Sequence, residues 1–97
     1  MCGIVGGFDR ERRPFGAECA EAACRRIAHR GPDDQGYFES DGMLVGNRRL
    51  SIMGLADGHQ PMFSDDEQIV VVQNGEIYNF VELAKGLNCR TNCDTEV

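Results

Sequence analysis

The first eight residues, Met1-Cys2-Gly3-Ile4-Val5-Gly6-Gly7-Phe8, constrain this chain more than any other stretch. An apolar run interrupted by Gly3, Gly6 and Gly7 suits a buried strand whose backbone another element approaches closely. The run also places a cysteine directly behind the initiator methionine. With Met1 removed, Cys2 carries a free α-amine beside its thiol, and such groups ordinarily titrate within about one pH unit of each other. Proton transfer between them is then nearly thermoneutral, so one residue can supply both nucleophile and base. An intact Met1 would acylate that amine and leave the thiol inert. The plainer reading is a small hydrophobe in a strand, and these eight residues leave both readings open.

Length and composition narrow the rest. A chain of 97 residues is one domain at most, burying roughly 60–70% of its unfolded surface. With 41% hydrophobic and 27% charged residues it reads as globular. A net charge of −6 argues against nucleic acid as a partner. The arginines do not segregate into a tail: Arg10, Arg12 and Arg13 alternate with Glu11. No apolar run approaches a membrane span, and no export signal is evident, so a cytoplasmic location is expected. The five cysteines, Cys2, Cys19, Cys24, Cys89 and Cys93, are odd in number, which disfavours a disulfide framework. The C-x4-C and C-x3-C spacings sit loosely within the range for structural zinc, but no histidine pair or C-x-x-C supports a site, and no metal is expected.

In chain order, residues 2–8 read as a strand and residues 9–16 as a charged loop with Pro14 and Gly16 as breakers. From Ala17 to His29 the period becomes helical, with Ala20, Ala23, Cys24 and Ile27 on one side. Glu18 and Glu21 come early and Arg25 and Arg26 late, as the helix dipole prefers. Residues 30–36 form a loop and Tyr37 to Ser40 a short strand. Asp41-Gly42 is a hairpin signal, and Met43 to Ile52 is the return strand. Consecutive arginines in a strand point to opposite faces, so Arg48 and Arg49 cannot share an environment. An inward arginine needs an anion; on an edge strand both could reach water.

Met53 to Phe63 is expected as a loop and Ser64 to Glu67 as an acidic turn. Gln68 to Gln73 is the strongest strand pattern in the chain and runs directly into Asn74-Gly75. Such a pair usually means a turn. It also puts an amide side chain beside an unobstructed glycine N–H, the two donors an oxyanion hole requires. Asn79 to Gly86 reads as a short helix, capped by Asn79 and closed by Gly86. Cys89 to Thr91 could form one more strand, and Asp94 looks like an N-cap with Thr95 and Glu96 in a first helical turn. A helix start followed by a single residue suggests part of something longer.

These motifs, taken in order, resemble a known family. Met1-Cys2-Gly3-Ile4-Val5-Gly6, His29-Arg30-Gly31-Pro32-Asp33, Arg48-Arg49-Leu50-Ser51-Ile52, Gln60-Pro61, Asn74-Gly75-Glu76-Ile77-Tyr78-Asn79 and Asp94-Thr95-Glu96-Val97 look like the N-terminal glutaminase domain of glutamine-hydrolysing asparagine synthetases, a class II glutamine amidotransferase. The resemblance covers the whole chain, residues 1–97, as the N-terminal part of such a domain. It implies an α+β fold, a partial αββα sandwich of the N-terminal-nucleophile hydrolases with antiparallel sheets and flanking helices. It implies hydrolysis of the L-glutamine side-chain amide to glutamate and ammonia, with the ammonia supplied to a synthetase domain or subunit.

By position, the resemblance makes Cys2 the nucleophile and Asn74 and Gly75 the oxyanion donors. Arg49 would hold the substrate α-carboxylate, and Glu76 and Asp94 its α-ammonium. Leu50, Ile52 and Met53 would line the pocket. A free zwitterion does require a cation and an anion apart from the amide, and arginine offers planar, bidentate carboxylate recognition. The glutaminase step implies no cofactor; ATP and magnesium belong to a synthetase domain absent from this sequence. The segment between Leu83 and Arg90 is a few residues shorter than the family pattern, which would displace Asp94, and Cys93 stands where a serine is usual. The alternative is a catalytically silent remnant that pairs its open edges as a homodimer or binds glutamine without hydrolysing it. Ammonia release, lost in Cys2→Ala, separates the two.

Overall fold

The computed structural model describes residues 2–50 and 57–97. Its first half is a three-stranded antiparallel sheet built from β1 (Gly3–Phe8), β2 (Asp34–Ser40) and β3 (Met43–Arg49), with β3 in the centre. Helix α1 (Ala17–Arg26) connects β1 to β2 and is followed by a 3-10 turn, Ala28–Arg30. The second half contributes a two-stranded antiparallel sheet, β4 (Met62–Phe63) with β5 (Val70–Val71), a five-residue helix α2 (Phe80–Ala84) and a 3-10 turn, Asp94–Glu96. The architecture is α+β, two antiparallel sheets with flanking helices, as in part of an N-terminal-nucleophile hydrolase.

The register decides which side chains meet. Val5 and Tyr37 stand opposite Gly46, and Gly3 and Gln35 opposite Arg48, so these residues share one face of the sheet. Helix α1 covers that face. Ala20 and Cys24 are its fully buried residues, at 0% exposure, as the helical period predicts. Burial pushes the Cys24 thiol up from its ordinary range, as expected of a cysteine acting as a small hydrophobe. The glycines let the helix layer come close: a β-carbon at Gly3 would lie 2.9 Å from Ile27, and one at Gly7 2.9 Å from the Phe15 ring. The start of α1 is tied down from the same face, where the Glu39 carboxylate accepts the Phe15 N–H at 2.5 Å.

Opposite this lies the face carrying Ile4, Gly36, Phe38, Asn47 and Arg49, and the second sheet packs over part of it. Phe38 meets Phe63 edge to face, with ring centroids 5.1 Å apart. Gly36 is crossed by the backbone of Gln60, whose carbonyl would sit 2.0 Å from a β-carbon there. On the same face of β1, Ile4 and Phe8 stay exposed. β1 is therefore buried on one face rather than both.

Several boundaries differ from the sequence expectation. The helix expected over residues 17–29 breaks after Arg26, and β2 begins at Asp34 rather than Tyr37. The strand expected over residues 68–73 pairs over two residues, because its partner, within the expected loop, offers two. Asn79 stands at the N-cap of α2 without a side-chain capping bond, and the helix closes at Lys85 in right-handed conformation rather than at Gly86. Residues 89–91 form no strand; the N–H groups of Arg90 and Thr91 bond the Glu96 carboxylate instead. The expectations for Met1, Ser51, Ile52 and Met53 fall outside the described residues.

Gly46 sits on the central strand, where the backbone has least room to yield. A β-carbon there would lie 2.8 Å from Val5 Cγ2 and 3.1 Å from Cys24 Sγ. Gly46→Ala is expected to destabilise the chain by about 1–3 kcal/mol, measured as a lower urea midpoint with an unchanged slope.

Candidate active site

The site grows from the end of the sheet where β1 begins and β3 finishes. Because Gly3 pairs with Arg48, Cys2 lies beside the residues that leave β3. Its thiol accepts the Leu50 N–H at 3.3 Å and faces the Leu50 carbonyl at 3.6 Å. The Arg30 Nε donates to the Cys2 carbonyl at 3.1 Å. The start of the chain is thus pinned from β3 and from the end of the helical segment.

The pleat separates the two arginines. Arg48 turns to the helix side, where its Nε donates to the Gly31 carbonyl at 2.8 Å and Nη1 to Gln35 Oε1 at 2.6 Å. Arg49 turns to the other side and is 4% exposed. β3 is central, so the edge-strand option in which both arginines reach water does not apply. The Arg49 guanidinium lies against the backbone of Gly58, where a β-carbon would come within 2.0 Å of Nη2. Its Nη2 also touches Cys93 Sγ at 4.0 Å.

Asn74, Gly75 and Glu76 form an exposed bend after β5. Asp94 is buried at 6% exposure, and its Oδ2 accepts the Ile77 N–H at 2.7 Å. That bond ties the bend to the 3-10 turn. Asp94 is inside the turn, and Cys93 stands at the N-cap position, correcting the expected N-cap role for Asp94. The shorter segment after Leu83 does not carry Asp94 away from the others. Cys2, Arg49, Leu50, Asn74, Gly75, Glu76 and Asp94 all line one cavity of about 350 Å³. This is at the small end of ligand pockets, roughly 300–1,000 Å³. A buried cation and two carboxylates therefore share a cleft with a thiol and with an amide-bearing bend.

The same cavity is lined by residues to which the sequence reading gave no site role: Gln60, Gln73, Cys93 and Thr95. Gln60 Oε1 accepts the Gln73 N–H at 2.7 Å, and Gln60 Nε2 donates to Thr95 Oγ1 at 3.1 Å. The Thr95 hydroxyl donates to Gln73 Oε1 at 2.8 Å. Asn47, at 1% exposure, donates from Nδ2 to the Gln73 carbonyl at 3.3 Å. A faint signal existed for Gln73 and for its partner Asn47: both are amides within strand patterns, where a polar side chain on a covered face needs a partner.

The chain belongs to the glutamine amidotransferase domain family, whose model matches residues 1–97. It is 42% identical over 105 residues to asparagine synthetase (glutamine-hydrolyzing) 1 of Bacillus subtilis (strain 168), covering 100% of this chain and 17% of that protein. It is 39% identical over 102 residues to asparagine synthetase (glutamine-hydrolyzing) 1 of Arabidopsis thaliana, and 38% over 102 residues to asparagine synthetase (glutamine-hydrolyzing) 2 of Lotus japonicus, with the same coverage. The chain thus spans 17% of the length of these relatives.

The turn that carries Asp94 and Thr95 is held by Glu96. Its carboxylate accepts the N–H groups of Arg90 at 2.6 Å and Thr91 at 2.7 Å, and the Thr91 hydroxyl at 2.5 Å. Burial pushes this carboxyl up, but the bonds from Arg90 and Thr91 outweigh it and leave it below its ordinary value. A depressed folded-state value means stability that is full above the unfolded glutamate value, about 4.3, and lost as the pH falls through the folded value. Glu96→Gln is expected to lower the urea midpoint at pH 7. The gap from the parent should close as titration proceeds toward pH 3; a gap constant with pH contradicts the assignment.

Proposed function

We propose that this chain hydrolyses the side-chain amide of L-glutamine to glutamate and ammonia, with Cys2 as nucleophile. The observation that carries the reading is the shared cleft: a thiol next to the chain start, a buried guanidinium, two carboxylates and the Asn74-Gly75 bend around about 350 Å³. Family membership and the names of the relatives support it from a separate direction.

In this reading the α-amine of Cys2, exposed by removal of Met1, takes the thiol proton. The thiolate attacks the γ-amide carbonyl carbon, and the carbonyl oxygen becomes an oxyanion held by the Asn74 side-chain amide and the Gly75 N–H. One such donor is typically worth ~10²–10³ in turnover. Collapse of the adduct breaks the C–N bond. The leaving nitrogen receives the proton from the α-ammonium of Cys2 and departs as ammonia, leaving a thioester. Water, deprotonated by the same amine, cleaves the thioester to glutamate and restores the thiol. Arg49 holds the substrate carboxylate, Glu76 and Asp94 its ammonium, and Leu50 lines the pocket.

The ammonia would pass to an asparagine-synthetase-like domain or subunit. ATP and magnesium would serve that later step, while the glutaminase step uses the side chains named here. A cytoplasmic setting accords with five unpaired cysteines. Among the described residues no helix is long and apolar enough to cross a membrane.

Mass spectrometry of the purified chain is expected to show Met1 absent and a glutamine-analogue alkylator attached at Cys2. Ammonia release should be lost in Cys2→Ala. Labelling elsewhere, or undiminished release by that variant, rules out the nucleophile assignment. Gly58→Ala tests the carboxylate clamp. The added methyl collides with the tip of the Arg49 side chain, which can swing aside without unfolding the chain. The expected result is a KM for glutamine raised roughly 10-fold or more, the scale of one lost charge-assisted bond, with little change in melting temperature.

A further inference from the structure

We propose that Gln60, Thr95 and Asn47 form a polar clamp on Gln73 that sets the position of the Asn74-Gly75 donors. Gln60 and Thr95 are then positioning residues for amide hydrolysis. This rests on the reading of Asn74 and Gly75 as oxyanion donors.

Gln73 is the last residue before the bend, and three of its polar groups are each taken by a different part of the chain. Its N–H goes to Gln60 Oε1 at 2.7 Å, its carbonyl accepts from Asn47 Nδ2 at 3.3 Å, and its side-chain oxygen accepts from Thr95 Oγ1 at 2.8 Å. Gln60 Nε2 closes the ring on Thr95 Oγ1 at 3.1 Å. The donor arithmetic is consistent. A backbone N–H can only donate, so Gln60 presents its oxygen to Gln73 and its nitrogen to Thr95. The threonine oxygen accepts there, which leaves its hydrogen for the Gln73 side chain.

Peptide planarity carries this order to the bend. The Gln73 carbonyl and the Asn74 N–H lie in one rigid plane, so the bond from Asn47 orients the plane from which Asn74 departs. The Gln60 bond fixes the preceding plane. The Gln73 side chain, held by Thr95, also runs beside Gly75, its Nε2 3.9 Å from where a β-carbon there would be. Asn47, Gln60 and Thr95 are 1%, 4% and 9% exposed. In that setting an unmatched partner costs more than a bond gains, so the ring resists small displacements. Oxyanion stabilisation needs this rigidity, since donors must meet the transition state rather than the ground-state carbonyl.

The test compares Thr95→Val, which removes the hydroxyl at similar volume, with Thr95→Ser, which keeps it. Gln73→Met serves as a second variant at a half-buried position, where loss of folding is not expected. For each, kcat and KM for glutamine are measured with the inhibition constant of glutamate γ-semialdehyde, which forms a tetrahedral adduct with the thiol. Thr95→Val and Gln73→Met are expected to lower kcat roughly 10- to 100-fold, the scale of a donor misplaced by about 1 Å. The aldehyde should weaken in parallel, KM should stay within about twofold, and Thr95→Ser should restore the parent values. A rise in KM at constant kcat, or a serine variant as impaired as the valine one, overturns the clamp.

Amide hydrogen exchange, run on Cys2→Ala versions of the same chains, decides the clamp without turnover. Exchange at Gln73, whose N–H is held by Gln60 Oε1, should accelerate in Thr95→Val while the β1–β3–β2 sheet stays protected. Unchanged exchange overturns the clamp. A parent chain that releases no ammonia, yet shows the exchange difference, overturns the glutaminase reading alone.

Discussion

The pleat of β3 places neighbouring side chains on opposite faces, and the site depends on that constraint. Arg48 and Arg49 are consecutive at the end of a central strand, so neither can be relieved by moving to an edge. Arg48 goes to the helix side and spends its donors on Gly31 and Gln35. Arg49 must enter the space between the sheets, where a desolvated guanidinium is costly unless its surroundings are polar. The segments that reach it bring Gly58, which admits the planar group against bare backbone, and the turn holding Cys93 and Asp94.

The two faces of the main sheet therefore do different work. The helix face buries small or apolar residues, Ala20, Cys24 and Leu44, with three glycines that let the helix layer approach closely and with its polar side chains Gln35, Glu39 and Arg48 bonded toward the ends of the sheet. Close packing there supplies stability and fixes the strands. The other face buries Asn47, Arg49, Gln60, Asp94 and Thr95. Such an interior contributes less to stability than an apolar one of equal size, and every bond in it must be made. In return it can hold charges and amides in place beside a cavity, which a dry core cannot do.

This division also explains why short, weakly regular elements suffice in the second half. β4 and β5 pair over two residues each and α2 buries none of its side chains. Order is supplied by side chain-to-backbone bonds: Asp94 to Ile77, Glu96 to Arg90 and Thr91, Gln60 to Gln73. Segments with few regular ladders are held at the points where the cavity needs them.

Much of the chain is legible in its sequence. The glycine-spaced first strand, the Asp41-Gly42 hairpin, the helical stripe of Ala20 and Cys24 and the opposed arginines follow from local periodicity, because pleat and helix pitch act on neighbouring residues. The motifs that carry Cys2, Arg49, Asn74, Gly75, Glu76 and Asp94 were readable through their resemblance to glutaminase domains, and the fold brings these residues around one cavity. The strand expected at residues 89–91 and the long one at 68–73 were misread. Propensity cannot say whether a partner strand is present, and here a carboxylate or a two-residue ladder took its place. Nor could the sequence disclose the ring of Gln60, Gln73 and Thr95, whose members lie 13, 22 and 35 residues apart. Hydrogen bonds over such separations carry no periodic trace. They exist because the folded sheets bring buried amides within reach, where each must find a partner or remain unsatisfied.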